Sequence, residues 1–197
     1  MNAGELKDRI SLMELKQVLN TYSWEQATLF WAKAEPLKEN NIFSKVGLST
    51  KSIKFKVRKN SSLSLHNAFR WKGKHCFLTN ITETDPMFLE ITAALIEPYT
   101  CTVERTGQPT LDNLNRPVYG DSNALTFPGC LTEKYLGHVQ GEPMTSVEAR
   151  YVLVTPKTII LSTGELVTIN NIPYTVLIPH TLDIYKNEYE IGVKGDA

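Results

Sequence analysis

Apolar and polar residues alternate along most of the chain. In KSIKFKVRK (51–59), Ile53, Phe55 and Val57 fall on one side and Ser52, Lys54, Lys56 and Arg58 on the other. That strict period of two marks a half-buried strand. ELKDRISLM (5–13) reads as a first strand with Ile10 and Leu12 inward. ATLFWAKAEP (27–36) reads as a second, ended by Pro36, which has no amide hydrogen for a ladder. HCFLTNIT (75–82) follows a turn at Gly73. MFLEITAALIE (87–97) is a strand because Met87, Leu89, Ile91, Ala93 and Leu95 alternate. Further strands are expected at 131–139, 149–156, 158–162, 166–178 and 189–194. A short helix fits only at 14–21 or around Phe43–Leu48. RTGQPTLDNLNRPVYGDSN (105–123) reads as an irregular loop or a long hairpin.

Two stretches share one layout. FRWKGKHCFLTNITETDPMFLEI (69–91) and VTINNIPYTVLIPHTLDIYKNEYEI (167–191) each run strand, tight polar turn, strand, connection, strand. Such self-similarity points to two copies of one supersecondary unit. The expected fold is therefore all-β: two small β-barrel or β-sandwich domains in tandem, residues 1–98 and 99–197, with long loops and at most short helices. Closure into barrels or sandwiches hides strand edges.

Composition changes this picture little. A chain of 197 residues with 42% hydrophobic and 21% charged residues is ordinary globular protein. No apolar run approaches the length of a membrane span, and the charged start MNAGELKDRIS is not a signal peptide. Cys76, Cys101 and Cys130 are odd in number and lack a C-x-x-C spacing, so they are expected to be reduced, buried thiols. Charge matters more. Residues 1–98 hold 14 Lys/Arg against 10 Asp/Glu, residues 99–197 hold 7 against 11, and 51–74 contains basic residues but no acid. This asymmetry concerns partners rather than fold.

Catalytic patterns are missing. WKGKH lacks P-loop spacing, and G-x-S-x-G, H-E-x-x-H and G-x-G-x-x-G do not occur. His66, His75, His138 and His180 lie far apart, and His75 and Cys76 point to opposite strand faces. Asp112, Asp121, Glu142 and Glu148 lack apolar neighbours that would raise a carboxyl pKa. No catalytic residue, cofactor or metal is expected, and the chain reads as a binding or assembly module.

Four pieces in order carry a resemblance. Gly4, Glu5, Leu6, Arg9 and Ile10 in MNAGELKDRI form the first, and Trp31, Ala32, Glu35 and Leu37 in WEQATLFWAKAEPLKENN the second. Ile53, Phe55 and Arg58 in TKSIKFKVRKN follow, then Phe69, Gly73, Phe77 and Ile81 in FRWKGKHCFLTNI. Together, residues 1–97 resemble the head–tail joining proteins of tailed bacteriophages, the head-completion, head-closure or stopper proteins. Lys7, Ala34 and Cys76–Phe77 depart from the family pattern at packing positions. TVERTGQPTLDNLNRPVYG and TGELVTINNIPYTVLIP in the second half look similar to a second phage neck-protein barrel.

The resemblance implies a virion protein, made in the bacterial cytoplasm, that forms a ring oligomer of itself. Its partners would be a portal or adaptor ring, a tail terminator or other tail proteins, and packaged double-stranded DNA in the channel. It would complete the head, retain DNA and provide a tail-attachment platform. The family's channel loop would here comprise Lys38, Glu39, Asn40, Asn41, Ile42, Phe43, Lys45 and Val46; the plain alternative is a surface connection or a short helix with Phe43 in its own core. Lys54, Lys56, Arg58 and Lys59 are candidates for contact with DNA or a partner. They also suit a solvated, lysine-kept outer face. Trp24 and Trp31 read as core or subunit contacts rather than ligand platforms. A rival function is a monomeric β-barrel that binds nucleic acid non-specifically through 51–74.

Overall fold

The computed structural model describes residues 3–37, 52–105, 109–111, 113–120, 122–133 and 150–193. After a 3₁₀ turn at Ala3–Glu5 it is all strand: β1 (Asp8–Val18), β2 (Thr21–Pro36), β3 (Ser52–Arg58), β4 (Ala68–Trp71), β5 (Lys74–Asp85), β6 (Phe88–Leu95), β7 (Tyr99–Arg105), β8 (Pro109–Leu111), β9 (Pro117–Tyr119), β10 (Asn123–Glu133), β11 (Arg150–Pro156), β12 (Leu166–Ile169), β13 (Ile172–His180) and β14 (Lys186–Val193).

The strands pair into two closed rings. β1-β4-β5-β6-β3-β2 closes through β1–β2, and β10-β11-β14-β13-β12-β7 closes through β10–β7. Numbered within each ring, the cyclic order is the same, 1-2-3-6-5-4, and the pairing within each ring is antiparallel throughout. Closure removes the unpaired edges that an open sheet would present.

The likeness extends to details. The starts of β3 and β11 (52, 150), β4 and β12 (68, 166), β5 and β13 (74, 172), and β6 and β14 (88, 186) each differ by 98. Lys72 and Gly73 turn with φ of 49° and 77°, and Asn170 and Asn171 with 50° and 64°. Positive φ at both central residues is the hairpin turn that matches strand twist, tolerated best by Gly and Asn. A bulge falls between Leu78 and Asn80 and again between Val176 and Ile178. Asp85 Oδ1 accepts from the amides of Met87 (2.8 Å) and Phe88 (2.9 Å); Asp183 Oδ1 accepts from those of Tyr185 (2.7 Å) and Lys186 (3.1 Å). The Ser64 amide donates to Asn67 Oδ1, and the Ser162 amide to Glu165 Oε2. Yet between 52–95 and 150–193 identical residues recur only at Lys59/Lys157, Leu63/Leu161, Ser64/Ser162, Asp85/Asp183 and Glu90/Glu188. The two copies share a backbone plan, held by turns and caps, and fill it with different side chains.

Each ring encloses its own core. In the first barrel Ile10, Leu12, Phe55, Phe69 and Ile91 are fully buried, and Phe69 meets Phe55 edge-on at 5.5 Å. In the second, Val103, Phe127, Leu153, Tyr189 and Ile191 do the same work. Burying a side chain of this size contributes about 1.5–3 kcal/mol.

The expected strand phases hold for β1 and β3, and for β6 from Leu89 onward; Met87 lies in the turn before β6 and is exposed. Three readings need correction. Residues 14–21 are not a helix: β1 runs to Val18, turns at Leu19 (φ 55°) and re-enters β2 at Thr21, because cross-strand pairing from Glu14↔Glu25 to Val18↔Thr21 satisfies the backbone. TIILS (158–162) is not a strand. Ile159 and Leu161 are buried, but β14 side chains meet their backbone instead of a neighbouring strand. Tyr189 Oη donates to Ile159 O (2.9 Å) and accepts from the Leu161 amide (3.1 Å), while Asn187 Nδ2 donates to Ile159 O (2.8 Å). β7 and residues 123–130 of β10 are strands that the pattern did not mark; of the strand expected at 131–139 only 131–133 are described, as the end of β10. Of the two readings of 105–123, the described residues match the hairpin: Arg105 pairs with Asn123, and β8 pairs with β9. The proposed helix at Phe43–Leu48 lies outside the described residues.

Candidate assembly surface

The outside of the first barrel presents a mixed aromatic and basic face. In β2, Phe30, Ala32 and Ala34 turn toward the core, so Leu29, Trp31, Lys33 and Glu35 turn outward. Trp31 is 59% exposed, with Leu29 exposed beside it. Trp31 pairs with Arg9 on β1. On β3, the Ala32↔Val57 register sets Arg58 next to Trp31, and a groove of about 530 Å³ is lined by Leu6, Leu29, Phe30, Trp31 and Arg58. Among the described residues neither arginine has an ion-pair partner.

The basic candidates on this barrel have different surroundings. Lys54 pairs with Glu90 at 3.2 Å, and Lys59 pairs with Glu83. Lys56 sits over the Phe88 ring, 5.8 Å from its centroid. Lys33 bonds Glu35 at 2.8 Å; this hydrogen bond and the mutual charge raise the Lys33 pKa and lower that of Glu35. Arg58 alone of Lys54, Lys56, Arg58 and Lys59 stands beside the exposed tryptophan. Of the residues resembling a channel loop, Lys38, Glu39, Asn40, Asn41, Ile42, Phe43, Lys45 and Val46, all lie outside the described residues. Leu29 and Trp31 on β2, with Arg9 and the exposed Met87, are surface positions; of these the sequence reading weighed only Trp31 as a contact, in the core or between subunits. The parity of β2 gave a signal for the first two, since neighbours of an inward Phe30 and Ala32 must face out.

The corresponding face of the second barrel is covered. Register places Pro128 where Trp31 stands, Cys130 where Lys33 stands, and Val152 and Val154 where Lys54 and Lys56 stand. Cys130, Val152 and Val154 form a buried cluster with Phe77 and Ala94, which point outward from the first barrel's β5 and β6, and with Ile96. The β1–β2 hairpin reaches across as well. Thr21 pairs in parallel with Thr126, the Thr126 amide donates to Asn20 O (2.9 Å), and Tyr22 packs against the second core. On the same side, His66 stacks edge-on against Tyr185 at 5.0 Å.

His75 and Cys76 do face opposite ways. Cys76 lies in the barrel core, and His75 lies outside it against Trp24, 5.4 Å between ring centroids, in a cleft shared with the second barrel. Burial first, and the nearby Arg70 charge second, lower the His75 pKa to about 4. Its Nε2 has no hydrogen-bond partner among the described residues. All three cysteines are buried and free, and burial pushes each thiol up to about 12, so they stay protonated at neutral pH. Among the described residues no group of three or more His, Cys, Asp or Glu is placed to hold a metal ion.

No family model, curated protein or solved structure matches the chain.

Proposed function

We propose that the protein is a structural component of a tailed-bacteriophage neck. It forms a ring between the portal or its adaptor and the tail, completes the head, retains packaged DNA and offers the tail a platform. Its role is assembly rather than catalysis. The observation that carries this reading is the outer face of the first barrel: Leu29, Trp31 and Met87 remain exposed, with Arg9 and Arg58 flanking Trp31. Tryptophan and arginine are the residues most enriched at interface hot spots, and an exposed apolar patch rimmed by polar groups marks an interaction site. The ordered pieces resembling head–tail joining proteins lie on this same barrel.

Cosedimentation of the full chain with purified portal, adaptor and tail-terminator rings tests the reading. Association with at least one ring, weakened when Trp31 becomes Glu, is the expected result. Failure to associate with any of them removes it.

The rival reading, a nucleic-acid binder acting through 51–74, draws on the Arg9–Trp31–Arg58 row. It is weakened by the pairing of Lys54 and Lys59 with carboxylates. It requires salt-sensitive DNA binding that is lost when Lys54, Lys56 and Arg58 become Glu.

A further inference from the structure

β2 pairs with β1 from Thr21 to Ala32, but with β3 only from Ala32 to Pro36. Among the described residues no strand lies on the other side of Tyr22–Trp31, so ring closure leaves that stretch of edge open. The groove of about 530 Å³ lies there, and Leu29, Phe30 and Trp31 all line it. Neighbouring residues of a strand point to opposite faces. A groove lined by three in succession therefore follows the backbone rather than one face.

The second barrel shows what fits such an edge. Thr126 of β10 is the counterpart of Leu29, because Lys33 and Cys130 hold equivalent places on the same two strands. The end of the β1–β2 hairpin lies alongside it: Thr21 pairs in parallel with Thr126, and the Thr126 amide donates to Asn20 O (2.9 Å). An extended piece of chain thus fills that edge. At Leu29 the described residues supply no such piece. The side chains differ too. Arg9, Trp31 and Arg58 stand in the first barrel where the second has Thr100, Pro128 and Pro156. The shared backbone plan closes with either set, so the fold does not require a tryptophan between two arginines. Lys33, Lys54 and Lys59 are matched by Glu35, Glu90 and Glu83. Beside the groove, the positive charge that no carboxylate matches sits on the exposed Arg9 and Arg58.

We propose that this edge receives an extended, acidic segment of a partner protein. The segment adds to β2 as a strand beside Leu29, sets a large apolar residue against Trp31 and brings carboxylates to Arg9 and Arg58. The inference rests on the reading of this face as a docking surface and adds the chemistry of what docks. Main-chain hydrogen bonds to an open edge give such contacts affinity, and alternate side chains give them specificity. Guanidinium and carboxylate pair through two parallel hydrogen bonds, and tryptophan and arginine are typical hot-spot residues. DNA suits the site less well, because a duplex calls for a run of cations along its phosphates and the nearby Lys33, Lys54 and Lys59 are already matched.

Fluorescence anisotropy tests this with the full chain and a labelled peptide containing Glu-Val-Phe-Val-Glu, whose alternate residues put phenylalanine and both glutamates on one side. Binding is expected, and it is expected to weaken about tenfold or more with Trp31→Ala and with Arg9→Gln combined with Arg58→Gln. Each variant is checked for an unchanged circular dichroism spectrum. A peptide with lysine in place of glutamate, and one with methylated backbone amides, are expected not to bind. Absence of binding by the parent peptide overturns the proposal, as does binding that survives any of these changes. Tighter binding of a single- or double-stranded DNA oligonucleotide at the same salt would assign the site to nucleic acid and overturn it. Self-association of the chain that Trp31→Ala abolishes would put a second copy in the groove and do the same. A chain that joins a neck ring yet ignores the peptide would remove this inference and keep the virion reading; one that takes the peptide and joins no ring would do the reverse.

Discussion

The two barrels differ most where they are most alike in backbone. At equivalent positions on one outer face, the first carries Lys33, Lys54 and Lys56 and the second carries Cys130, Val152 and Val154. The charged version faces outward, with Lys54 and Lys33 in surface ion pairs. The apolar version is buried against Phe77 and Ala94 of its neighbour. An outer position of a strand has no fixed chemistry; what covers it sets the residue. The same contrast appears inside the barrels, where Ala32 of the first occupies the place of Gly129 in the second. A Cβ at Gly129 would lie 2.7 Å from Leu153 Cδ1 and 2.9 Å from Cys101 Sγ.

Exchanging residues between the barrels breaks or sharpens this comparison. The largest effect is expected from Val152→Lys, which installs the first barrel's residue in the second. It places an unpaired cation in the apolar contact and is expected to destabilise by about 3–5 kcal/mol. The reciprocal Lys54→Val removes only a surface pair with Glu90 and is expected to change stability by about 1 kcal/mol or less. Chemical denaturation measures both, and equal effects would mean that the two faces are not in different environments.

Next comes pH. The folded pKa of His75 is lowered to about 4, whereas an unfolded histidine titrates near 6.5. Between those values the unfolded chain binds the proton and the folded chain does not, so stability falls as pH drops from about 6.5 to about 4. The loss amounts to roughly 3 kcal/mol at most. His75→Phe keeps a ring against Trp24 but cannot titrate, and a stability–pH curve over this window should be flatter for it. An unchanged slope would place the acid sensitivity elsewhere.

A smaller effect than those of Val152→Lys and His75 tests the glycine. Gly129→Ala is expected to lose about 1–3 kcal/mol through overpacking, whereas Ala32→Gly in the first barrel is expected to lose about 0.5–1 kcal/mol through backbone entropy. Thermal melts distinguish the two. A neutral Gly129→Ala would show that Leu153 and Cys101 yield easily.

Much of the molecule was legible in one dimension because alternation is local. The side on which Ile53, Phe55 and Val57 fall depends only on the strand period, and the structure buries all three. The repeated strand–turn–strand–strand layout was visible because Lys72–Gly73 and Asn170–Asn171 supply the positive φ that the turn demands. Segments whose backbone is satisfied from afar were misread. Glu14–Val18 is held in β1 by pairing with β2 rather than by its own propensity. The backbone at Ile159 and Leu161 is satisfied by side chains and not by a ladder: Asn187 donates to the Ile159 carbonyl, and the Leu161 amide donates to Tyr189.

The order of residues thus settled which side chains face the inside of each strand, where the chain turns and that one unit occurs twice, since those properties depend on neighbours a few positions away. Ring closure, the docking of one barrel on the other and the exposure of Trp31 were settled only in three dimensions. They depend on which distant strands pair, and Val152 or Lys54 looks equally natural on an outer face until another surface is, or is not, laid against it.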